Sequence, residues 1–182
     1  MAIIHPATIA PTKQELLATE LGGPVEVVGS YRFDDPAGEV GVEGFLVRRD
    51  GALRHVLLTY RAAPAEGEGA RLVCTMEHSV LGRRWVHDGA TDPVALGCLG
   101  RAVLGQQEQA VLEIWSDGER VGTREPTLKL SVEPGTDADT GDTTVWINPE
   151  PGPSAGTGPV LLASWAGGGP VVLAGLAPTE VG

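Results

Sequence analysis

Val25-Glu26-Val27-Val28-Gly29-Ser30-Tyr31-Arg32-Phe33, then Asp34-Asp35-Pro36-Ala37-Gly38-Glu39, then VGVEGFLVRR from Val40 to Arg49, then Asp50-Gly51-Ala52, then LRHVLLTYRA from Leu53 to Ala62 is the stretch that decides the fold. Its runs are rich in β-branched and aromatic residues and are separated by Asp, Gly and Pro clusters, which is the pattern of strands joined by turns. The Asp50-Gly51 pair favours positive φ, so the second and third runs are expected to form a tight hairpin and to pair antiparallel. On the N-terminal side, Thr12-Lys13-Gln14-Glu15 has the form of a capping box, predicting a helix over 12–21 that ends at Gly22-Gly23-Pro24. On the C-terminal side, ARLVCTMEHS and LGRRWVHDG read as two more strands after a loop over 65–69.

Thr91-Asp92-Pro93 places a cap before a first-turn proline and predicts a second helix over 92–105. Gly97 and Gly100 lie inside it at a cost of about 1 kcal/mol each relative to Ala, which points to close packing. Five short apolar or alternating runs follow over 109–177, and the Gly, Pro, Asp and Thr content of 135–159 predicts exposed chain on either side of TTVWIN. The expected architecture is α+β: a curved antiparallel sheet with one N-terminal and one central helix, plus C-terminal strands, read as one unit over 1–182.

The chain has 182 residues, 24 Asp+Glu against 13 Lys+Arg and a net charge of -11. With two lysines in all, it lacks the clustered cations that phosphate backbones and anionic membranes require, so neither nucleic acid nor membrane is an expected partner. No run of about 18 apolar residues occurs, and the N-terminus lacks a basic lead before its proline-broken apolar stretch, so the expected compartment is the cytoplasm. Cys74 and Cys98 sit among apolar neighbours at no metal-type spacing and are expected to be buried small hydrophobes.

Several chemistries are excluded by their missing patterns. Neither lysine sits in a Walker A context, no close glycine pair completes a dinucleotide fingerprint, and no His-x-Asp triplet begins at any of the four histidines. His78-Ser79 is a poor nucleophile pair, because adjacent side chains on a strand point to opposite faces. Glu77, His78, His87 and Asp88 lack familiar metal spacing, and Asp137 to Asp142 is half a calcium loop without its final Glu. No catalytic residue, metal or cofactor is therefore expected.

What remains is a concentration of polar and aromatic groups in Thr59-Tyr60-Arg61 and in Thr75 to Asp88. Arg83 and Arg84 have two readings: they tie strands together by pairing with Glu39, Glu43 or Glu77, or they belong to a binding surface, since Arg beside Trp and Tyr is enriched at interfaces. Tyr60, Arg61, Glu77, His78, Arg83, Arg84, Trp85 and Asp88 form the candidate interaction patch.

Three blocks carry a resemblance: Arg32 to Glu43, Leu58 to Pro64 and Thr75 to Gly89, followed by Asp92-Pro93-Val94. In this order and spacing they resemble the N-terminal cap domain of bacterial maltokinases, and Ala163-Ser164-Trp165 with Leu176-Ala177-Pro178 is similar to the end of small stand-alone cap-like proteins. The resemblance implies a curved sheet of the cystatin-like kind. It also implies a non-catalytic module whose partner is a protein, such as a sugar kinase or another α-glucan enzyme, or a second copy of itself. It carries over no catalytic residue, since the kinase motifs do not occur here. The short Leu21-Gly22-Gly23-Pro24 link departs from the longer aromatic and basic segment of kinase-fused members. Two other readings are a small-ligand module binding a sugar or nucleotide through Trp and Arg, and an enzyme of unrecognised type centred on Glu77 and His78.

Overall fold

A computed structural model describes residues 2–4, 7–65, 69–116, 119–135, 142–153 and 158–179. The strands are β1 (Ala2–Ile4), β2 (Ile9–Ala10), β3 (Glu26–Asp34), β4 (Gly41–Arg49), β5 (Ala52–Arg61), β6 (Leu72–His78) and β7 (Gly82–Asp88), followed by β8 (Leu112–Ser116), β9 (Glu119–Arg124), β10 (Lys129–Glu133), β11 (Thr143–Ile147), β12 (Val160–Trp165) and β13 (Gly168–Pro178). The helices are α1 (Lys13–Leu21) and α2 (Pro93–Val103). The α+β expectation holds. The decisive stretch becomes the β3-β4-β5 meander of a six-stranded sheet of order β2-β6-β7-β5-β4-β3, and a four-stranded sheet β10-β12-β13-β11 is built from the C-terminal runs.

Local signals act as read. Asp50 and Gly51 take φ of 49° and 80°, and Arg49 faces Ala52 across the resulting two-residue hairpin. Both halves of the capping box form, Glu15 N–H donating to Thr12 Oγ1 at 3.2 Å and Thr12 N–H donating to Glu15 Oε2 at 2.8 Å. Gly22, at φ 72°, closes α1 in the left-handed conformation. Replacing Thr12 with Ala is expected to cost about 1 kcal/mol in a urea melt, the usual worth of an N-cap; an unchanged midpoint would show that α1 is held by packing alone.

The six-stranded sheet separates two apolar layers, because alternate strand residues point to opposite faces. On one face, Phe45, Val47, Val56, Leu58, Met76 and Val86 pack under Leu16 and Leu17 of α1. The opposite face carries Tyr31, Phe33, Val42, Leu46 and Leu57, and it packs against Ala95, Cys98, Leu99, Ala102 and Val103 of α2 and against Leu161, Ala163, Leu173 and Ala174 of the four-stranded sheet. The C-terminal part of the chain thus covers the second face of the sheet. Gly100 meets this expectation of close packing, since a Cβ there would lie 3.2 Å from Val145 on β11, whereas Gly97 faces only the end of Arg101.

Gly44 is required for another reason. The Tyr31 ring, fully buried, lies where a Cβ at position 44 would stand. It cannot turn away without breaking the 2.9 Å hydrogen bond between its hydroxyl and His55 Nε2. Gly44→Ala is therefore expected to cost about 2 kcal/mol, in the range of core overpacking, and thermal unfolding with an unaltered Tm would show that the ring yields freely.

Three expectations are corrected or extended. Cys98 is buried, but Cys74 is only partly so, because β6 is flanked on its outer side by the two residues of β2 alone. The polar run Glu119–Arg124 is a strand, pairing with β8 through backbone bonds and through Arg120, which donates to the buried Glu113 of β8 at 3.2 Å. β1 runs parallel to β8, so the pairing is antiparallel everywhere except there among the described strands. The acidic turn Asp137 to Asp142 falls, except for Asp142, outside the described residues, as do 66–68 of the loop before β6.

Candidate functional site

Strand alternation divides the candidate patch. Tyr60, His78 and Arg84 lie on the α1 side of the six-stranded sheet, with Asp88 further along the same face, while Arg61, Glu77, Arg83 and Trp85 lie on the other. The eight residues therefore do not form one continuous surface. Glu77 and Arg83 face each other across β6 and β7 and pair at 2.7 Å, both well exposed, so this pair contributes little to stability. Asp88 binds Arg71, which also pairs with Glu20 of α1. His78 Nδ1 accepts from the N–H groups of Val80 and Leu81 and shapes the β6-β7 turn. Ser79 instead accepts from Thr8 N–H at 3.0 Å, so the two side chains serve different local structures rather than one proton path.

Arg61 is drawn into a buried network. Its guanidinium binds Asp92 through Nη2 at 2.7 and 2.8 Å and through Nε at 3.2 Å, and the Thr59 hydroxyl donates to Asp92 at 2.6 Å. Asp92, with no solvent exposure, also accepts from Val94 N–H at 2.9 Å as the N-cap of α2. Burial pushes its carboxyl up, but the bonds from Arg61, Thr59 and Val94 outweigh it and hold the group below the usual range. His87, on the same face, is buried, and desolvation with the nearby Arg61 charge lowers its pKa despite Asp92. This network fastens α2 to the sheet. Asp92 is sealed from solvent while Arg61 keeps 20% of its side chain exposed, and the bonds that Asp92 accepts are spent on holding α2 to β5.

The other side of the sheet opens into a cleft of about 1360 Å³ between the β3-β4-β5 face and the segment that carries β8 and β9. Its floor contains a cluster that the sequence reading did not single out. Glu43, 4% exposed, accepts both oxygens' worth of bonds from Lys13 Nζ at 2.7 and 2.6 Å and another from Arg32 Nη2 at 3.1 Å. Lys13 also lies over the rings of Phe45 and Tyr60, 5.6 and 5.9 Å from their centroids. Burial would raise the Glu43 carboxyl, yet Arg32 and Lys13 hold it below its ordinary pKa. Burial lowers the Lys13 ammonium, and the charges of Arg32 and Arg124 add to this against the pull of Glu43. The Tyr60 hydroxyl is buried without a hydrogen-bond partner among the described residues, and burial next to Glu43 raises its pKa well above the ordinary value.

A signal for this cluster was present. Glu43 shares its strand face with Phe45 and Val47, so a carboxylate interrupts an inward-facing row, and a buried carboxylate needs a cation. Lys13, one of two lysines in the chain, supplies it from α1. The expected pairing of Arg84 with Glu39 or Glu43 does not form. Trp85 does not line this cleft, and Glu77 and His78 point to opposite faces, against the reading of an enzyme centred on them. Among the described residues, no group of three or more His, Cys, Asp or Glu could hold a metal ion, and no helix is long and apolar enough to cross a membrane.

Glu43→Gln keeps one hydrogen-bonding oxygen but leaves Lys13 and Arg32 facing each other without a counter-charge. The expected loss is about 2 kcal/mol by urea denaturation, less than for a fully enclosed pair because both cations are partly exposed. Stability equal to the parent protein would mean that solvent already carries these charges.

Comparison with known proteins gives one finding. Residues 18–92 match the family model of the maltokinase N-terminal cap domain, a segment that runs from the last turn of α1 through β3 to β7 and ends on Asp92. No curated protein and no solved structure matches the chain.

Proposed function

We propose, on the premise that residues 18–92 are a maltokinase N-terminal cap-like domain, that this protein is a non-catalytic module acting by binding another protein, a sugar kinase of maltose and α-glucan metabolism foremost. The observation that carries this reading is the coincidence of the matched segment with the six-stranded sheet, β2 excepted. Two features support it. The polar residues of the sheet serve structural bonds, Arg61 and Asp92 most of all, rather than a proton path or a metal. The outer end of β6 and β7 leaves Glu77 and Arg83 exposed beside Trp85, with Val80 and Leu81 at the turn 53% and 46% exposed, a mixed polar and apolar strip of the kind that protein contacts use.

The patch proposed for the partner is accordingly the β6-β7 end, Glu77, Arg83 and Trp85, with His78 shaping its turn. Tyr60, Arg61 and Asp88 act behind it as the supports of the sheet. The test is size-exclusion chromatography with light scattering on this chain mixed at micromolar concentration with a purified bacterial maltokinase whose own cap has been removed. The expected result is a complex that Arg83→Glu with Trp85→Ala abolishes while the circular dichroism is unchanged. Separate elution of the two proteins would reject the kinase partner, and a complex that the double variant leaves intact would reject the patch.

A further inference from the structure

The cleft over Glu43 has more hydrogen-bond donors than acceptors at its floor, in a chain whose overall charge is -11. Lys13 spends two of its three N–H groups on Glu43 and Arg32 one of its five, so one and four remain unused among the described residues. The buried Tyr60 hydroxyl adds another unpartnered group. Arg84 and Arg124 also line the cleft, and neither has a carboxylate partner among the described residues. Arg124 is near enough to Lys13 for its charge to disfavour the ammonium.

The carboxylates of the lining do not balance this at the floor. Asp35 is spent on the backbone N–H groups of Ala37, Glu39 and Val40, where it builds the turn after β3. Glu39 and Glu125 are exposed, so water and salt screen them, and Asp34 sits at the end of β3 by the same turn. Glu43 alone faces two fixed cations. Its effect is to hold Lys13 and Arg32 in place with their remaining donors directed away from it, which is the pre-organisation a charged ligand needs.

We propose that this cleft binds a small molecule carrying a compact oxyanion, a phosphate or a carboxylate, with the anionic group taken up by Arg32, Lys13 and Arg124, Arg84 at the mouth and the Tyr60 hydroxyl as a further donor. The apolar part of such a ligand lies against Phe45, Met76 and Leu112, which share the lining. A concave site with apolar walls and few convergent polar groups is the usual form of a small-ligand site. The inference does not depend on the protein partner proposed above, since it concerns the opposite face from Glu77, Arg83 and Trp85.

The test uses the full chain with inorganic phosphate and, separately, malonate, each compared with sodium chloride at equal ionic strength. A ligand that binds only the native state raises its apparent stability, so Tm is the first readout and calorimetric titration the second. Phosphate, malonate or both should raise Tm beyond chloride. A response to phosphate alone assigns the phosphate group, and a response to malonate alone assigns the carboxylate. Arg84→Gln and Arg124→Gln remove exposed or half-exposed side chains without ion-pair partners, so they should fold as the parent does and weaken the affinity about tenfold each. Tyr60→Phe removes an unsatisfied buried hydroxyl, and it should leave the free protein equally or more stable while also weakening binding. Equal Tm in phosphate, malonate and chloride would overturn the proposal, as would anion responses that the two arginine variants leave unchanged.

Discussion

Asp92→Ala is expected to remove about 3–5 kcal/mol of stability, the largest effect of any single substitution considered for this protein. Three losses combine at one carboxylate. Arg61 would lose a two-pronged partner while 20% of its side chain is exposed, Thr59 would keep a buried hydroxyl without its 2.6 Å acceptor, and α2 would lose its N-cap. Leaving a charge inside without its counter-charge costs more than the intact pair contributes, which is why removing one partner is the severe change. Asp92→Asn keeps a capping oxygen and should lose about half as much, as judged by urea denaturation. A double-mutant cycle with Arg61→Met measures the coupling. Additive losses in that cycle would mean that the two side chains do not depend on each other, against the geometry.

Acid is expected to weaken the fold well above the pH at which its carboxylates protonate, and His55 is the cause. Burial pushes its pKa down to about 4, with the backbone at Asn148 and Leu173 only partly offsetting this. Its Nε2 meets the Tyr31 hydroxyl, and its Nδ1 is buried without a hydrogen-bond partner among the described residues. The unfolded chain takes up the proton at about pH 6.5, while the folded one resists it until about 4. The unfolded state therefore binds more protons throughout that window, so stability is fully present above about 6.5 and falls as pH drops toward 4.

A shift of that size corresponds to a loss on the order of 3 kcal/mol from this group. His87, whose pKa is also lowered, adds a loss of the same sign. Asp92 and Glu43, held below the ordinary carboxyl range, weaken the fold only as pH falls further, so the two effects separate along the pH axis. Urea melts between pH 7 and 4 should show the slope in the parent chain and a much shallower one in His55→Gln, which keeps a polar partner for Tyr31 but does not titrate. Equal slopes in both proteins would remove His55 from this account.

How much of this could be read beforehand differs from element to element. The hairpin at Asp50-Gly51, the capping box at Thr12 and Glu15 and the Asp92-Pro93 helix start were legible because each depends on residues within one turn of chain. β9 was not, since Glu119–Arg124 forms a strand only by pairing with β8, and its side chains remain in solvent. The need for glycine at position 44 was not legible either, since it comes from a tyrosine thirteen residues earlier and one strand away.

The candidate site shows the same division. Arg-rich and aromatic residues of β5 to β7 were visible as a group in the chain, but alternation and pairing send Tyr60 and Arg84 to one side and Arg61, Arg83 and Trp85 to the other. Asp92 could be recognised as a helix cap but not as the partner of Arg61 and Thr59, which lie about thirty residues earlier and reach it across the sheet. Glu43 carried a readable hint, a carboxylate on an inward face, yet its cations come from α1 and β3.

By itself the amino-acid sequence determined both helix starts, the central strands β3 to β7 with their turns, the α+β class and the cap-type pattern of the central blocks, because these rest on local backbone preference and on residue order. Only the tertiary structure decided which face each polar side chain occupies, how the C-terminal strands cover one face of the sheet and leave a cleft on the other, and which charges are paired. Those outcomes depend on register and on burial, and the free energy of a charge is set by what surrounds it in space rather than by its neighbours along the chain.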